Sequence, residues 1–389
     1  MVITKEHIIL SAIYNFRCLK FNQIMQYCFS DCSERTCYNI LSKMGKRGTI
    51  EKVGFRNDAA YYTITSAGIK HLRDYGLVPV DKNKHHIVQS GKILSASSIA
   101  LNPQYTAHQL ALNQFVLDFI SLYPEIEFDY YDEKYISQVF SNIRPDGIIK
   151  TKDCLYFLEM DMNTEREARL MKKWNSYRSF LHSEDYYVLH GDIKVLFILD
   201  NISDKSGRKY LLREYIDRNL RADICPEFDL YIGKNTDLLP VFRGAEDISE
   251  LLYKQGFSVK RNVLIENLPQ YSYLITNGTM SFVVDDYTRE NMFIFKKATE
   301  YPKCNAIYNQ QNSCDMQYII ITRNEAEAYK LKNQTFASSL NIYFTTKQRL
   351  KDYTFCSALF QIESDGILYH FADEDLRIRR KEAYIKNFF

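Results

Sequence analysis

Apolar and polar positions in the first 78 residues recur at helical spacing, interrupted once by two β-rich runs. Ser33 precedes the third helical segment as an N-terminal cap. In that segment, the stripe that we expect to be buried is Cys37, Ile40, Leu41 and Met44. The successive segments read KEHIILSAIYNF, KFNQIMQYC, ERTCYNILSKMGKRG, TIEKVGF, AAYYTIT and SAGIKHLRDYG. The pattern therefore predicts three helices, a hairpin with a polar turn and a fourth helix.

This order of elements is typical of a winged helix over residues 1–78, in which the third helix enters the major groove of DNA. The exposed face of that helix and the hairpin tip carry Arg35, Thr36, Asn39, Lys43, Lys46, Arg47 and Arg56. The first 80 residues hold eleven Lys and Arg against six acids, a local charge of +5. A merely solvated helix face is the alternative, but the complete order of elements favours binding of double-stranded DNA.

The middle of the chain changes from a polar segment to an alternation of helical and β patterns. Residues 79–105 are polar, rich in serine and weakly periodic, so we predict a linker there. From TAHQLALNQFVLDFISLY onward, helical and β patterns alternate through residue 243. This alternation predicts an α/β domain with mixed strand directions over residues 106–243.

A third segment, residues 244–389, repeats this order of patterns. It contains SYLITNGTMSFVVDDYTREN, a hairpin that we expect to turn at Asn277-Gly278. The motifs DDYTRE, QYIIITRN and LNIYFTTK then echo DMNTER, KVLFILDN and FDLYIGK of the preceding domain. The sequence thus predicts an α+β fold with several domains, the last being a duplicated α/β unit that ends in a helix.

Three acids stand inside the most hydrophobic hairpin, IRPDGIIKTKDCLYFLEMDMNTE at residues 143–165. If Lys152-Asp153 forms the turn, Asp146 lies opposite Glu159, and Asp161 shares a strand face with Glu159. An unpaired carboxylate among apolar side chains costs several kcal/mol or takes up a proton. A divalent cation would remove the conflict, since Mg²⁺ binds one or two carboxylates together with waters and a phosphate.

A structural network is the alternative interpretation, with Arg144, Lys150 or Lys173 neutralising these acids. The spacing P-D-x12-E-x-D, followed by a helix that carries Lys172 and Lys173, favours the metal site.

The second copy offers an internal comparison. We expect Val283 or Val284 at the position of Glu159. At the position of Asp146 we expect Gln270 or Tyr271. On this alignment the second copy lacks the acids and is predicted to be inert.

Composition limits the compartment and the partners. The net charge of the 389 residues is only +2, so any basic surface has to be local. The nine cysteines form no C-x-x-C pair and no leader opens the sequence, which favours reduced thiols in a cytoplasmic protein. For Cys28, Cys32 and Cys37 a helical interior suits the spacing better than zinc. No apolar run approaches the roughly 20 residues of a membrane helix, so we expect no membrane insertion.

The motif RPDG…FLEMD with a following helix resembles the PD-(D/E)XK nuclease superfamily. The resemblance implies that residues 106–243 are a nuclease-like domain in which the Asp and Glu hold a divalent metal. It also implies a lysine that activates or positions the attacking water. Asp161 stands where the motif lysine is expected, so Lys173 on the next helix is the candidate and Lys172 its rival.

A second resemblance covers roughly residues 5 to 200. The winged helix followed by AHQLALNQFVLDF, RPDG, FLEMDMNTE and KKWNSY is similar to the replication-relaxation family of Gram-positive plasmids and integrative elements. That family includes or adjoins the MobC class of conjugative relaxases, which nick one strand at a transfer origin.

This second resemblance implies a metal-dependent DNA endonuclease acting at the origin of transfer or replication. Asp146 and Glu159 would bind Mg²⁺ or Mn²⁺, with Asp161 as a third ligand, and Lys173 would serve in catalysis. The implied partners are origin DNA and proteins of the relaxosome or the conjugation machinery. The alternative is a catalytically inert DNA-binding regulator or accessory protein, which the missing motif lysine favours.

Overall fold

The computed structural model shows a mixed fold of the α+β class, as predicted, divided into two compact units. Unit 1 comprises residues 1–206 and 233–235, and unit 2 comprises residues 207–232 and 236–389. The residues that the structure describes are 3–29, 32–55, 58–77, 87–88, 95–133, 136, 140–162, 167–189, 191–200, 207–244, 246–266, 268–278, 280–335, 342–362, 368–371 and 379–382. No helix within these ranges is long and apolar enough to cross a membrane.

Unit 1 begins with four helices and a small antiparallel sheet of order β1-β3-β2. Threonine or serine hydroxyls cap three of the helices by accepting a backbone N–H of the first turn. The elements are α1 (Lys5–Phe16), β1 (Cys18–Lys20), α2 (Phe21–Cys28), α3 (Glu34–Lys46), β2 (Ile50–Phe55), β3 (Asp58–Ile64) and α4 (Ser66–Asp74). The helices and the hairpin occur where the sequence pattern predicted them, whereas β1, which pairs with β3, was not anticipated.

Two helices follow, α5 (Ala96–Ile99) and α6 (Pro103–Leu122). The side chain of Asn113 on α6 donates to the carbonyls of Phe16 and Cys18, at 3.0 and 2.7 Å. Because Asn113 is fully buried, these bonds tie α6 firmly to the first four helices. About half of the predicted linker, residues 79–105, lies outside the described residues. Its described part contains β4 (Ile87–Val88), α5 and the start of α6, so it is not wholly without secondary structure.

Unit 1 contributes the strands β4-β5-β6-β7-β8, in this order, to its larger sheet. Strands β5, β6 and β7 are antiparallel neighbours, whereas β8 runs parallel to β7. The core against this sheet includes Phe157, Trp174 and Phe197, all fully buried. The elements are β4 (Ile87–Val88), β5 (Asp129–Asp132), β6 (Gly147–Lys150), β7 (Cys154–Asp161), α7 (Glu167–Leu181), α8 (Glu184–Tyr187) and β8 (Asp192–Leu199).

Unit 2 contains a second sheet whose strands follow chain order from β10 to β17. Its helices are α9 (Arg208–Leu220), α10 (Asn235–Leu238), α11 (Ser249–Lys254), α12 (Phe293–Asn312), α13 (Glu325–Thr335), α14 (Lys347–Asp352) and α15 (Phe355–Ala358), with a 3-10 helix at Leu239–Arg243. Its strands are β9 (Phe228–Gly233), β10 (Ser258–Val263), β11 (Tyr271–Asn277), β12 (Met280–Asp286), β13 (Met316–Thr322), β14 (Ile342–Thr346), β15 (Phe360–Ile362), β16 (Leu368–Phe371) and β17 (Arg379–Glu382). Near the C-terminus, β17 occupies part of the segment that we expected to be helical. Helix α9, expected in the middle domain, is part of unit 2.

The two larger sheets share one order of strand directions. In unit 1, three antiparallel strands (β5, β6, β7) are followed by α7 and the parallel strand β8. In unit 2, the antiparallel strands β10, β11 and β12 are followed by α12 and the parallel strand β13. The hairpin β6–β7 therefore has a topological counterpart in β11–β12.

The register of the second hairpin corrects the expected alignment of the two copies. Asn277 pairs with Met280, so the chain turns one residue later than Asn277-Gly278. Thr151 and Cys154 hold the same positions in the first hairpin, where the Thr151 N–H donates to the Cys154 carbonyl. Counting equally along the strands makes Asp285, not Val283 or Val284, the counterpart of Glu159. By the same count, Ser272 replaces Gln270 or Tyr271 as the counterpart of Asp146.

Candidate functional site at the first hairpin

The hairpin β6–β7 brings Asp146, just before β6, close to Glu159 on β7. Gly147 pairs with Leu158, and the N–H of Asp146 donates to the Leu158 carbonyl at 3.0 Å. A Cβ atom at Gly147 would lie 3.0 Å from the ring of Tyr130, so only glycine fits after Asp146 without displacing that ring. The RPDG motif thus places a carboxylate at the end of β6 and opens space for an aromatic core residue.

Glu159 is buried, with 1 % of its surface exposed, and both of its oxygens have partners. Lys173 Nζ donates to Oε2 at 2.8 Å, and Tyr177 Oη donates to Oε1 at 2.6 Å. Burial raises the pKa of Glu159 to about 7, because the charged form loses its hydration, although the Lys173 ammonium opposes the shift. Glu159 is therefore a carboxyl group that can exchange a proton near neutral pH.

Asp146 differs from Glu159 in being partly open to solvent, with 22 % of its side chain exposed. Its Oδ2 accepts the N–H of Met160 at 2.8 Å and lies 3.2 Å from His108 Nε2. Burial raises the pKa of Asp146, but His108 and Lys173 outweigh that effect and hold this pKa below its usual value. Asp146 therefore stays ionised at neutral pH, and Oδ1 receives no hydrogen bond from the described residues.

His108 is a site residue that the sequence patterns did not identify. It lies on α6, and its Nε2 is also 3.1 Å from the carbonyl oxygen of Met160. Burial disfavours the charged imidazole, yet the carboxylate of Asp146 raises the pKa of His108 above its ordinary value. The signal in the sequence was a histidine within AHQLALNQFVLDF, but nothing in the helical pattern showed where that helix docks.

The structure brings Asp146, Glu159 and Lys173 together but does not complete the expected three-carboxylate group. Asp161 is fully buried at the end of β7. Across the described part of the chain, no three His, Cys, Asp or Glu side chains form a group suited to a metal ion. Lys172 is exposed and lines a surface groove, so Lys173 is the lysine that reaches the site.

The counterpart position in unit 2 is occupied by a fully satisfied carboxylate. Asp285 is buried, and its Oδ1 accepts Lys297 Nζ at 2.6 Å and the Ser272 N–H and Oγ at 2.9 and 2.7 Å. Tyr318 Oη donates to Oδ2 at 2.8 Å. The expectation that the second copy lacks an acid is therefore wrong. What it lacks is the second, opposed carboxylate, because serine stands where unit 1 has aspartate.

Every residue of the predicted DNA-contacting face of α3 that the structure describes is exposed. Arg35, Thr36, Asn39, Lys43 and Lys46 are exposed, while Cys37, Leu41 and Met44 are buried beneath them. Arg47 is also exposed, but one of its terminal guanidinium nitrogens donates to both carboxylate oxygens of Glu6 on α1, at 2.8 and 3.0 Å. Tyr38, not anticipated, has 59 % of its surface exposed on the same helix. Arg56, predicted at the hairpin tip, lies outside the described residues.

Cys28 on α2 and Cys37 on α3 are buried thiols. Burial raises the pKa of the Cys28 thiol to about 12, so it stays protonated. This agrees with the interpretation of these residues as part of a helical interior.

A model of the replication-relaxation family matches residues 10–196. The matched segment runs from α1 into β8 and contains α3, His108, the hairpin β6–β7 and Lys173. Nearly all of unit 1 is thus similar to that family, whose description points to a role in replication or relaxation. A search of the curated proteins found no match for the chain.

Proposed function

We propose that this chain is a DNA-binding endonuclease of a plasmid or an integrative conjugative element, which nicks one strand at an origin of transfer or replication. The observation that carries the proposal is the neighbouring pair Asp146 and Glu159 beside Lys173, inside a segment that matches the replication-relaxation model. Clusters of titratable groups with shifted pKa values are typical of functional sites.

The N-terminal elements support a DNA-binding role. Three helices and a hairpin have the order of a winged helix, and the outward face of α3 is polar and basic. Exposed lysine and arginine side chains there match the negative charge of a DNA backbone. On this proposal the partner is double-stranded DNA of the origin region, together with relaxosome or conjugation proteins.

The donor set at the hairpin fits a divalent cation in part. Asp146 offers Oδ1 and stays ionised, and Glu159 already binds a positive group, the Lys173 ammonium. Asp146 and Glu159 would therefore hold Mg²⁺ or Mn²⁺, whereas the buried Asp161 adds no third ligand to a recognisable group. A bound divalent ion would supply a Lewis acid that neutralises negative charge developing on the phosphodiester.

The chain's own residues have distinct tasks in this proposal. Tyr177 holds one oxygen of Glu159 in a fixed direction. Lys173 is partly exposed, so its ammonium is able to donate to a phosphate oxygen of a bound strand as well as to Glu159. Asp146, ionised and accessible, is the group at this site best placed to meet a ligand from solvent.

A second candidate function is that of a non-enzymatic DNA-binding accessory protein or regulator. The ion pair between Lys173 and Glu159 favours it, because the buried acid is already neutralised as in the structural alternative. In this case the hairpin is a scaffold, and only the α3 face acts on DNA.

The two functions are separated by nicking and by ion binding. We expect Glu159→Ala to abolish nicking of a supercoiled origin plasmid in Mg²⁺ or Mn²⁺ while duplex binding survives. Retained nicking by this variant would exclude the catalytic assignment. Calorimetric titration of the wild type with Mn²⁺ adds a second readout, since no binding favours the accessory protein.

A further inference from the structure

We propose that His108 is a positioning residue that clamps Asp146, so that Asp146 Oδ1 faces the incoming ligand. The inference rests on the proposed function, because it concerns the orientation of a carboxylate at the same site. It adds a residue from α6 to a site that the sequence patterns confined to the hairpin and the following helix.

The hydrogen bonds around Nε2 establish the state of the ring. Nε2 lies 3.2 Å from Asp146 Oδ2 and 3.1 Å from the Met160 carbonyl oxygen. Both of these oxygens are acceptors, so Nε2 carries a hydrogen, which it donates to the Met160 carbonyl beside the Asp146 carboxylate. The imidazole is thus held in one orientation by the Met160 carbonyl of β7 and by the Asp146 carboxylate.

Asp146 Oδ2 is therefore contacted by two groups. The Met160 N–H donates to it at 2.8 Å, and His108 Nε2 on α6 lies 3.2 Å from it as an ion-pair partner. A carboxylate with one oxygen held by a hydrogen bond and an ion pair has little rotational freedom, and its second oxygen keeps a defined direction. Oδ1 accepts no hydrogen bond from the part of the chain that the structure describes.

Unit 2 shows what the hairpin does without such a clamp. Ser272, the counterpart of Asp146, donates through both its N–H and its Oγ to Asp285. Both of these donors of Ser272 are therefore used by its neighbour across the strands. The histidine contact is therefore present at the hairpin that carries a second carboxylate, Asp146, where the other hairpin carries Ser272. This difference favours a positioning role for His108 over general support of the fold.

The decisive experiment compares His108→Leu with His108→Gln, because glutamine restores an N–H donor without the ring. We expect His108→Leu to lower kcat for nicking of a supercoiled origin plasmid in Mn²⁺ by about 10- to 100-fold. The KM for plasmid should stay within about twofold, since duplex binding is assigned to α3. His108→Gln should recover most of the lost rate, and His182→Leu, at an exposed histidine of the same unit, serves as the control.

Mn²⁺ calorimetry provides the readout that does not depend on nicking. We expect His108→Leu to weaken Mn²⁺ binding and His108→Gln to restore it. Wild-type kcat and Mn²⁺ affinity in His108→Leu would overturn the inference, as would a glutamine variant no better than leucine. If the wild type binds Mn²⁺ but does not nick, the proposed function fails, and the calorimetric comparison alone decides the role of His108. If the wild type does not bind Mn²⁺, the inference fails as well.

Discussion

Asp146 lies close to Glu159 at the first hairpin, so two carboxylates share one end of a largely buried sheet. The two are treated differently by their surroundings. Glu159 is desolvated and paired with Lys173, whereas Asp146 is partly exposed and held by His108. At the matching position of unit 2, one carboxylate is replaced by serine and the remaining one is fully satisfied. This pair is therefore not something that this fold requires.

The α3 surface yields a prediction about salt dependence. Lys43 is exposed without an ion pair among the described residues, whereas Arg47 is already paired with Glu6. We expect Lys43→Ala to weaken duplex binding and to reduce the slope of log K against log salt by about 1. Arg47→Ala should have a smaller effect, since its charge is partly neutralised. Fluorescence anisotropy over a series of salt concentrations measures both slopes.

The control for this prediction is Lys303→Ala, at an exposed lysine of α12 in unit 2. Equal losses for Lys43→Ala and Lys303→Ala would show that binding is a diffuse charge effect and not a property of α3.

The paired lysines of the two hairpins yield a prediction about stability and activity. Lys173 binds Glu159 and Lys297 binds Asp285, both as buried or nearly buried ion pairs. Removing one partner of a buried pair costs about 3–5 kcal/mol, because the other charge is left uncompensated. We expect Lys173→Met to cost less than Lys297→Met, because Glu159, with a pKa of about 7, takes up a proton readily. Urea unfolding at neutral pH measures both.

The two variants are also expected to differ in nicking activity, measured at a temperature where both remain folded. Only Lys173→Met should lose activity, since Lys297 belongs to the hairpin without an opposed carboxylate. Equal loss of nicking in both variants would contradict the distinction between the hairpins.

Asp229 in unit 2 yields a prediction about pH. Its buried carboxylate caps α12 by accepting the Phe293 N–H at 3.0 Å, and burial raises the pKa of Asp229 to about 6. Because the folded pKa is raised, the native state binds the proton more tightly than the unfolded chain does. Stability contributed by this group is therefore lost as pH rises from about 4 to about 6, by at most roughly 3 kcal/mol.

Asp229→Asn removes this titration while keeping a side-chain oxygen for the cap. The difference in unfolding free energy between wild type and variant should change across that pH range and level off above it. A difference independent of pH would show that Asp229 has an ordinary pKa in the folded state.

The sequence alone was sufficient to predict the strand register of the first hairpin, but not that of the second. The two-residue turn at Lys152-Asp153 determines the register of β6 and β7 from Gly147 onward, and this register brings Asp146 close to Glu159. In the second hairpin, the favoured Asn-Gly pair indicated a turn one residue too early. The observed register lets Ser272 satisfy the buried Asp285, a tertiary requirement that local turn preference does not contain.

His108 could not be predicted for a related reason. Its distance from Asp146 depends on how α6 docks beside the sheet, and that docking depends on contacts such as those of Asn113 with Phe16 and Cys18. Periodicity identifies a helix and its buried face, but it does not identify which strand end the helix reaches.

Asp146 is proposed to act in nicking and not in folding, and the variant Asp146→Ser separates the two roles. This change gives the first hairpin the residue that unit 2 carries at the same position. We expect an unfolding free energy within about 1.5 kcal/mol of wild type, since serine offers the donors that satisfy a facing carboxylate. The measurement is the rate at which wild type and Asp146→Ser convert a supercoiled origin plasmid to the nicked form in Mn²⁺. We expect nicking by the wild type and none by the folded variant, and equal rates for the two proteins would show that Asp146 has no part in nicking.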